Sequence, residues 1–255
     1  MSFVKISTAA AVMTMMATGA SALTLNGTIR DFEQSHPDMQ KSVDGNTVEG
    51  MVETTLDSDG KPVLVTPNPA NSVTTKANFS QWYRDTPGVN QSKAFDITLT
   101  ETAPGSGLFQ YHNSSFFPID DELFGNEGNS HNYHFTYEIT GKLAFEASDS
   151  FSFTGDDDLW VFVDNKLALD LGGVKSAKTK SFNGQDLIDD LGLAENTNYA
   201  FSIFFAERHT TQSNFKITTS LPLNTTTPIP VPAALPLLVS ALGGLGWISR
   251  RRKAA

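Results

Sequence analysis

The sequence has no cysteine, which excludes disulfide bonds, thiol nucleophiles and cysteine-ligated metals. Cations are also few, since 18 Lys and Arg residues stand against 28 Asp and Glu residues. Only 13 of the cations lie outside residues 1–22 and 229–255, and all the acids do, so the central part of the chain has a net charge of −15. That charge repels phosphates, which disfavours nucleic acid, so we expect no nucleic acid partner; it favours metal cations or neutral glycans.

The motifs of several enzyme classes are missing as well. The chain has no G-x-S-x-G nucleophile elbow and no Gly-rich phosphate loop. Glycoside hydrolysis needs two carboxyl groups about 5–9 Å apart across a sugar, which neighbouring residues of one loop do not provide. The five histidines are scattered and predict no zinc site. We therefore expect a non-catalytic protein, with a glycoside hydrolase as the weaker alternative.

Residues 1–22 have the pattern of a secretory signal peptide. Lys5 precedes an apolar stretch (AAAVMTMMATGA), and Ala20-Ser21-Ala22 is a small-x-small cleavage site. The alternative is a buried N-terminal helix. The signal peptide predicts export to the cell surface or the extracellular space.

The C-terminal residues 229–255 predict a sorting signal, preceded by a polar linker over residues 222–228. Residues 229–249 carry no charge and are long enough for a transmembrane helix. The basic residues Arg250, Arg251, Arg252 and Lys253 follow at once and favour the cytoplasmic side. The Pro-rich start, the apolar span and the Arg cluster together resemble a VPLPA-CTERM/PEP-CTERM tail. That resemblance implies an exosortase-type sorting enzyme as a partner and at least transient tethering to the membrane.

The body, residues 23–221, reads as an all-β antiparallel sandwich or barrel. Apolar and aromatic residues alternate in short runs between turn signals, and helical periodicity is almost absent. Asp164 and Asn165 predict a tight hairpin turn. Short helices are expected at Asn78–Tyr83 and Gly184–Leu191, and a surface loop at Gly60–Asn71. The predicted strands are Leu23–Phe32, Ala94–Glu101, Tyr133–Thr140, Lys142–Ala147, Ser150–Thr154, Leu159–Val163, Leu167–Leu171, Thr197–Phe205 and Phe215–Leu221.

Three consecutive aspartates, Asp156, Asp157 and Asp158, stand directly before an apolar strand. Like charges this close repel one another, and Asp is a poor strand former. A bound Ca²⁺ takes six to eight oxygen ligands and would offset the repulsion. The alternative is a solvated loop in which the carboxylates cap a turn. The residues alone leave both interpretations open.

The segment "DDDLWVFVDNKLALD" resembles the central motif of the PA14 domain. That motif has an Asp-Asp-Gly, a strand, an Asp-Gly-Lys turn and a second strand. Asp156 and Asp157 occupy the Asp-Asp positions, while Asp158 and Asn165 stand where the family usually has Gly. The resemblance implies a PA14-like β-sandwich.

Further segments resemble one bacterial branch of that family, the fibro-slime domain. They cover nearly all of the body and imply a secreted or surface protein. The segments are "LNGTIRDF", "NFSQWYRDTPGVN", "NSSFFPID", "HNYHFTYEI", "FTGDDDLWVFVDNKL" and "FFAERHTTQSNFKI".

The sugar-binding PA14 adhesins imply a ligand set for calcium. By that resemblance Asp156 and Asp157 hold the ion, and Asn214 is the nearest match to a further Asn ligand. Glu207 is a candidate from charge and position, with a structural ion pair between Glu207 and Arg208 as the alternative. Two roles stay open: a calcium-dependent adhesion module that binds an extracellular glycan, or a structural component of a matrix polymer without a sugar site.

Overall fold

The computed structural model describes residues 21–224, which form an almost entirely β structure. Two short helices interrupt the strands: α1 (Lys76–Phe79) and α2 (Gly184–Asp189). The strands are β1 (Ala22–Phe32), β2 (Asn90–Glu101), β3 (Phe109–Asn113), β4 (Phe135–Leu143), β5 (Ser150–Gly155), β6 (Asp158–Val163), β7 (Lys166–Leu171), β8 (Lys178–Asn183), β9 (Tyr199–Glu207), β10 (Phe215–Thr219) and β11 (Leu223–Asn224).

The strands form one antiparallel sheet that nearly closes into a barrel. The strand order is β7-β6-β9-β4-β1-β2-β3-β10-β5-β8, and β11 pairs with β4. The two end strands approach each other, since Lys180 Nζ on β8 donates a hydrogen bond of 3.3 Å to the carbonyl oxygen of Asp170 on β7. The predicted all-β antiparallel fold is confirmed.

The main core fills the inside of the curved sheet with aromatic side chains. Alternate residues of each strand point inward, as the period of two requires. Phe151 and Phe153 of β5 and Phe215 of β10 are fully buried. Phe116, from the connection between β3 and β4, packs against Phe215 with ring centroids 4.7 Å apart. The Phe residues therefore serve mainly as core filling.

A second apolar cluster lies on the outer face of β6 and β9. Trp160, Phe162 and Phe204 point outward from the sheet and are buried nonetheless. Residues 48–83 cover them, with Trp82 packing against Trp160. Strands buried on both faces need apolar residues at every position, which explains the unbroken run LWVFV.

This cover corrects the predicted surface loop at Gly60–Asn71. Leu64 and Ala70, which belong to that segment, are buried in the second cluster. The segment also forms a bridge, because Leu64 pairs with Val52. Its three prolines signalled a loop, but they gave no indication of the apolar face beneath it.

Several predicted element boundaries were wrong. The strands expected at Tyr133–Thr140 and Lys142–Ala147 are one continuous strand, β4. The strands β3, β8 and β11 were missed, because the first two expose a polar face and the third has two residues. The helix expected at Asn78–Tyr83 is α1, which begins earlier with Thr75 as its N-cap and ends at Phe79. The helix α2 begins as predicted and ends at Asp189.

The turns around β6 place the acidic residues. The hairpin between β6 and β7 is confirmed, since Asp164 and Asn165 have φ angles of 52° and 60°. At its other end β6 follows β5 through only Asp156 and Asp157. The two strands do not pair with each other, because β5 pairs with β10 and β8 while β6 pairs with β9 and β7.

Both terminal predictions concern residues outside this description. The described residues include only the last two of the predicted signal peptide 1–22, and Ala22 begins β1. The sorting tail 229–255 and residues 225–228 of the linker lie outside. The strand β11 extends the sheet beyond Leu221, where the sequence placed the end of the body. Within residues 21–224, no helix is long and apolar enough to cross a bilayer.

Substitution of Phe116 should test the main core. We expect Phe116→Ala to lower the free energy of unfolding by about 3–5 kcal/mol, because it leaves a cavity among buried rings. The matched control is Phe117→Ala: this half-buried ring stacks on His131 with centroids 4.0 Å apart, and its loss should cost about 1 kcal/mol. Urea unfolding measures both, and equal losses would contradict the packing described.

Candidate functional site

The three aspartates are buried, so their interpretation as a solvated loop is wrong. Asp156, Asp157 and Asp158 are 3%, 4% and 0% exposed. Asp157 has a φ of 50°, a left-handed conformation that Asp tolerates better than most residues. Each of the three carboxyl groups has a different set of hydrogen-bond partners, so the three aspartates differ in what they contribute to the site.

Asp158 forms a fully buried ion pair with Arg208. Its Oδ2 accepts a hydrogen bond of 2.7 Å from Arg208 Nε, and its Oδ1 accepts one of 2.6 Å from the backbone N–H of Gly173. Gly173 has a φ of 96°, which favours glycine at this approach. The ion pair predicted between Glu207 and Arg208 is wrong, because the partner of Arg208 is Asp158.

Further donors of Arg208 bind Ser72 of the cover formed by residues 48–83 and Asp38, which precedes it. The Nη1 atom donates to the carbonyl oxygens of Asp38 at 3.0 Å and Ser72 at 2.7 Å. The guanidinium carbon lies 4.5 Å from the ring centroid of Trp82, a cation–π contact. Buried charges are tolerated only when paired and hydrogen-bonded, and this guanidinium meets both conditions.

Asn214 lies beside Asp156, as the predicted ligand set requires. The backbone N–H of Asn214 donates to Asp156 Oδ1, and its Nδ2 donates to Asp156 Oδ2 at 2.7 Å. The preceding Gly155 allows this approach, since a Cβ there would lie 2.9 Å from the carbonyl oxygen of Asn214. The structure thus brings together two residues that are 58 positions apart in the sequence.

Glu207, the last residue of β9, is fully buried. Neither of its carboxyl oxygens makes a hydrogen bond of standard geometry, and its polar neighbours are the Ser213 hydroxyl and the Asp157 carboxyl group. Burial raises the pKa of Glu207 well above its ordinary value, and the charges of Asp157 and Asp156 act in the same direction. A buried carboxyl group without a partner is unstable unless a proton or a cation neutralises it.

Burial raises the pKa values of the first two aspartates as well. The pKa of Asp157 rises to about 7, with the neighbouring Arg208 acting in the opposite direction. Its Oδ2 accepts a hydrogen bond of 2.8 Å from the backbone N–H of Arg208. The pKa of Asp156 is raised by burial, against the effect of its bonds from Asn214.

Lys175 brings a second buried cation to the site. Its ammonium group donates to the carbonyl oxygens of Asp157, Leu171 and Gly173. Burial lowers the pKa of Lys175, and the charges of Asp158, Asp157 and Asp156 act in the opposite direction. The sequence analysis missed this residue, and a lysine in a turn after a strand gave no signal for it.

A cleft of about 150 Å³ opens at the first two aspartates. Its lining includes Asp156, Asp157 and Lys175 together with His209, Thr211 and Gln212 of the 209–212 loop. Val43, which is 56% exposed, stands at its edge. The segment "AERHTTQSN" therefore borders the cleft, as expected of a ligand-binding loop.

The side chains at this site are of the types that bind a cation, but they are not arranged as a complete set of metal ligands. Within the described part of the chain, no three His, Asp or Glu side chains are gathered as in a formed metal centre. Asp156 and Asp157 nevertheless act electrostatically on Glu207, and neither oxygen of Glu207 makes a hydrogen bond of standard geometry. Carboxylate oxygens of this kind are the ligands that Ca²⁺ prefers.

Removal of Arg208 should show how much the ion pair supports the fold. Arg208→Met leaves Asp158 charged and unpaired in the interior, so we expect a loss of about 3–5 kcal/mol in the free energy of unfolding. The control is Lys93→Met, which breaks the half-exposed pair with Glu122 and should change stability by at most about 1 kcal/mol. A similar small effect of both substitutions, measured by urea unfolding, would refute the structural role of Arg208.

The raised pKa of Asp157 predicts a pH dependence. A carboxyl group with a raised folded pKa binds its proton more tightly in the folded state, so its contribution to stability is full below about 4 and falls as the pH rises toward about 7. In chelator, the stability of Asp157→Asn should therefore decrease less between pH 4.5 and 7.5 than that of the wild type.

The control for this experiment is Asp189→Asn, which changes an exposed carboxyl group on α2. Its stability should have the pH slope of the wild type. Chemical denaturation at several pH values gives the slopes. Indistinguishable slopes for Asp157→Asn and the wild type would show that Asp157 does not titrate as described.

Comparisons with known proteins give a family and a set of relatives. The family model of the PA14 domain matches residues 117–233. Protein psiQ of Dictyostelium discoideum is 38% identical over 217 residues, which cover 80% of this chain and 22% of psiQ. Protein psiD of the same organism is 35% identical over 215 residues, which cover 78% of this chain and 42% of psiD. The chain thus spans less than half the length of these curated relatives.

Among solved structures, the PA14 sugar-binding domain of an RTX adhesin aligns over 84% of this chain and 94% of that domain. The TM-score is 0.34 and the sequence identity 11%. The matched segment 117–233 includes Asp156, Asp157, Glu207 and Asn214, so every predicted calcium ligand lies inside the PA14 match.

Proposed function

We propose that this protein is a non-catalytic adhesion module that binds an extracellular carbohydrate with the help of Ca²⁺. The observation that carries the proposal is the buried carboxyl group of Glu207. Neither of its oxygens makes a hydrogen bond of standard geometry, and it lies behind Asp157 and Asp156, whose charges act on it and which line a cleft open to solvent. A divalent cation would neutralise these groups together.

Four residues are proposed to hold the ion: Asp156, Asp157, Asn214 and Glu207. A bound Ca²⁺ would supply coordination positions that sugar hydroxyls can fill. The chain itself supplies the arrangement of the ligands. Asn214 holds the Asp156 carboxyl group through two hydrogen bonds, and the N–H of Arg208 holds that of Asp157.

The cleft supports a glycan as the ligand. Its lining offers hydroxyl, amide and imidazole groups from the loop at residues 209–212, which suits recognition by hydrogen bonds. The exposed Val43 at the edge adds one apolar contact surface. The acidic surface of the body also suits a neutral polymer and disfavours nucleic acid.

The arrangement of the acids argues against hydrolysis. Asp158 is paired with Arg208, and Asp156 and Asp157 are neighbouring residues of one two-residue turn. A glycosidase needs carboxyl groups on both sides of the sugar, about 5–9 Å apart.

The alternative is a structural role in an extracellular matrix without a sugar site. The observation that favours it is the internal cation Lys175, whose ammonium group already ties Asp157 to the neighbouring turn. In that case a metal would only stiffen the sheet.

We further propose that the protein is exported by the signal peptide 1–22. The tail 229–255, with its transmembrane helix and basic end, would tether the body to the membrane at least transiently. An exosortase-type enzyme would be the sorting partner. These proposals rest on the sequence patterns alone.

Calorimetric titration with Ca²⁺ tests the site. The wild type should bind calcium, and Asp156→Asn/Asp157→Asn should bind it at least about 100-fold more weakly, because two ligands lose their charge. The matched control is the exposed adjacent pair on the surface, Asp189→Asn/Asp190→Asn, which should bind like the wild type. Equal affinity in all three proteins would refute the site.

A glycan array with and without chelator then separates the two roles. Binding to glycans that chelator abolishes supports the adhesion module. Calcium binding with no glycan binding under either condition would favour the structural role and contradict the proposed sugar site.

A further inference from the structure

The side chain of Lys175 is buried at the site and contacts three backbone carbonyl oxygens. It follows β7 after Gly172, Gly173 and Val174, and its side chain turns back into the interior, where the residue is 4% exposed. Its Nζ lies 2.7 Å from the carbonyl oxygen of Leu171 and 3.2 Å from that of Gly173. The third acceptor is the carbonyl oxygen of Asp157.

The three acceptors match the donors of an ammonium group. An ammonium has three N–H donors, whereas a neutral amine has two. The charges of Asp158, Asp157 and Asp156 also favour the protonated form, so Lys175 places a positive charge in contact with the turn that holds Asp156 and Asp157. A change of rotamer would remove all three of these hydrogen bonds.

The net charge of the site follows from which ionised side chains are paired with one another. Asp158 and Arg208 neutralise each other in a buried ion pair. The carboxyl groups of Asp156, Asp157 and Glu207 remain, and together they can contribute three negative charges. Lys175 offsets one of them, which leaves a charge that one divalent cation balances.

We propose that Lys175 is a specificity-determining residue that weakens the binding of trivalent cations at this site more than that of divalent cations. The inference rests on the proposed function, since it assigns a role within the same calcium site. Repulsion between the ammonium and a bound ion grows in proportion to the charge of that ion, so it is about one and a half times as strong for a trivalent ion. Removal of the ammonium should therefore favour the trivalent ion more than the divalent one.

The test compares the dissociation constants for Ca²⁺ and Tb³⁺, two ions of similar ligand preference, measured by calorimetry on the purified protein. The ratio of the calcium constant to the terbium constant should rise at least about tenfold in Lys175→Met. Lys175→Gln, which is neutral but keeps hydrogen-bond donors, should show the same change and serves if the methionine variant does not fold. Lys178→Met, an exposed lysine nearby, is the control and should keep the wild-type ratio, because solvent screens its charge.

The possible results are distinguishable. A parallel loss of affinity for both ions, with an unchanged ratio, would show that Lys175 only supports the turn and would overturn the inference. If the wild type binds calcium but the ratio is unchanged in Lys175→Met, the proposed function still holds and only the role of Lys175 is refuted. Absence of calcium binding by the wild type and by Lys178→Met would overturn both.

Discussion

The buried ion pair between Asp158 and Arg208 is the interaction on which the acidic end of this protein depends. It joins the first residue of β6 to the residue that follows β9, and the same guanidinium binds the backbone oxygens of Asp38 and of Ser72, which belongs to the cover over the second core. The pair therefore holds the sheet and its cover together. It also leaves the carboxyl groups of Asp156, Asp157 and Glu207 outside this pair, with the buried Lys175 beside Asp157.

The position of these carboxyl groups follows from the two cores. The strands β6 and β9 are buried on both faces, because residues 48–83 cover their outer side. A strand of this kind has no solvent-facing side for polar residues, so the charged residues collect at its end. Asp158 and Glu207 are accordingly the terminal residues of β6 and β9, where the main core, the cover and the cleft meet.

The all-β fold, the hairpin at Asp164 and Asn165, and the proximity of Asn214 to Asp156 were predictable from alternation, turn chemistry and a family resemblance. The cover was not, since the prolines between residues 60 and 71 indicate a loop and say nothing about what lies beneath it. Lys175 was not predictable either, because its role depends on three carbonyl oxygens that only the folded backbone brings together. The partner of Arg208 was misassigned to its sequence neighbour Glu207, although adjacent residues of a strand point to opposite faces.

The link between β5 and β6 has a mechanical consequence. These strands follow each other in the chain but lie far apart in the order of the sheet, each hydrogen-bonded to other neighbours. Tension applied along the chain passes from one strand to the other through Asp156 and Asp157 alone, without the shared ladder of a hairpin to carry part of the load. A Ca²⁺ bound by these two residues would stabilise the connection between the strands. The force needed to unfold the protein by pulling would then depend on the calcium concentration.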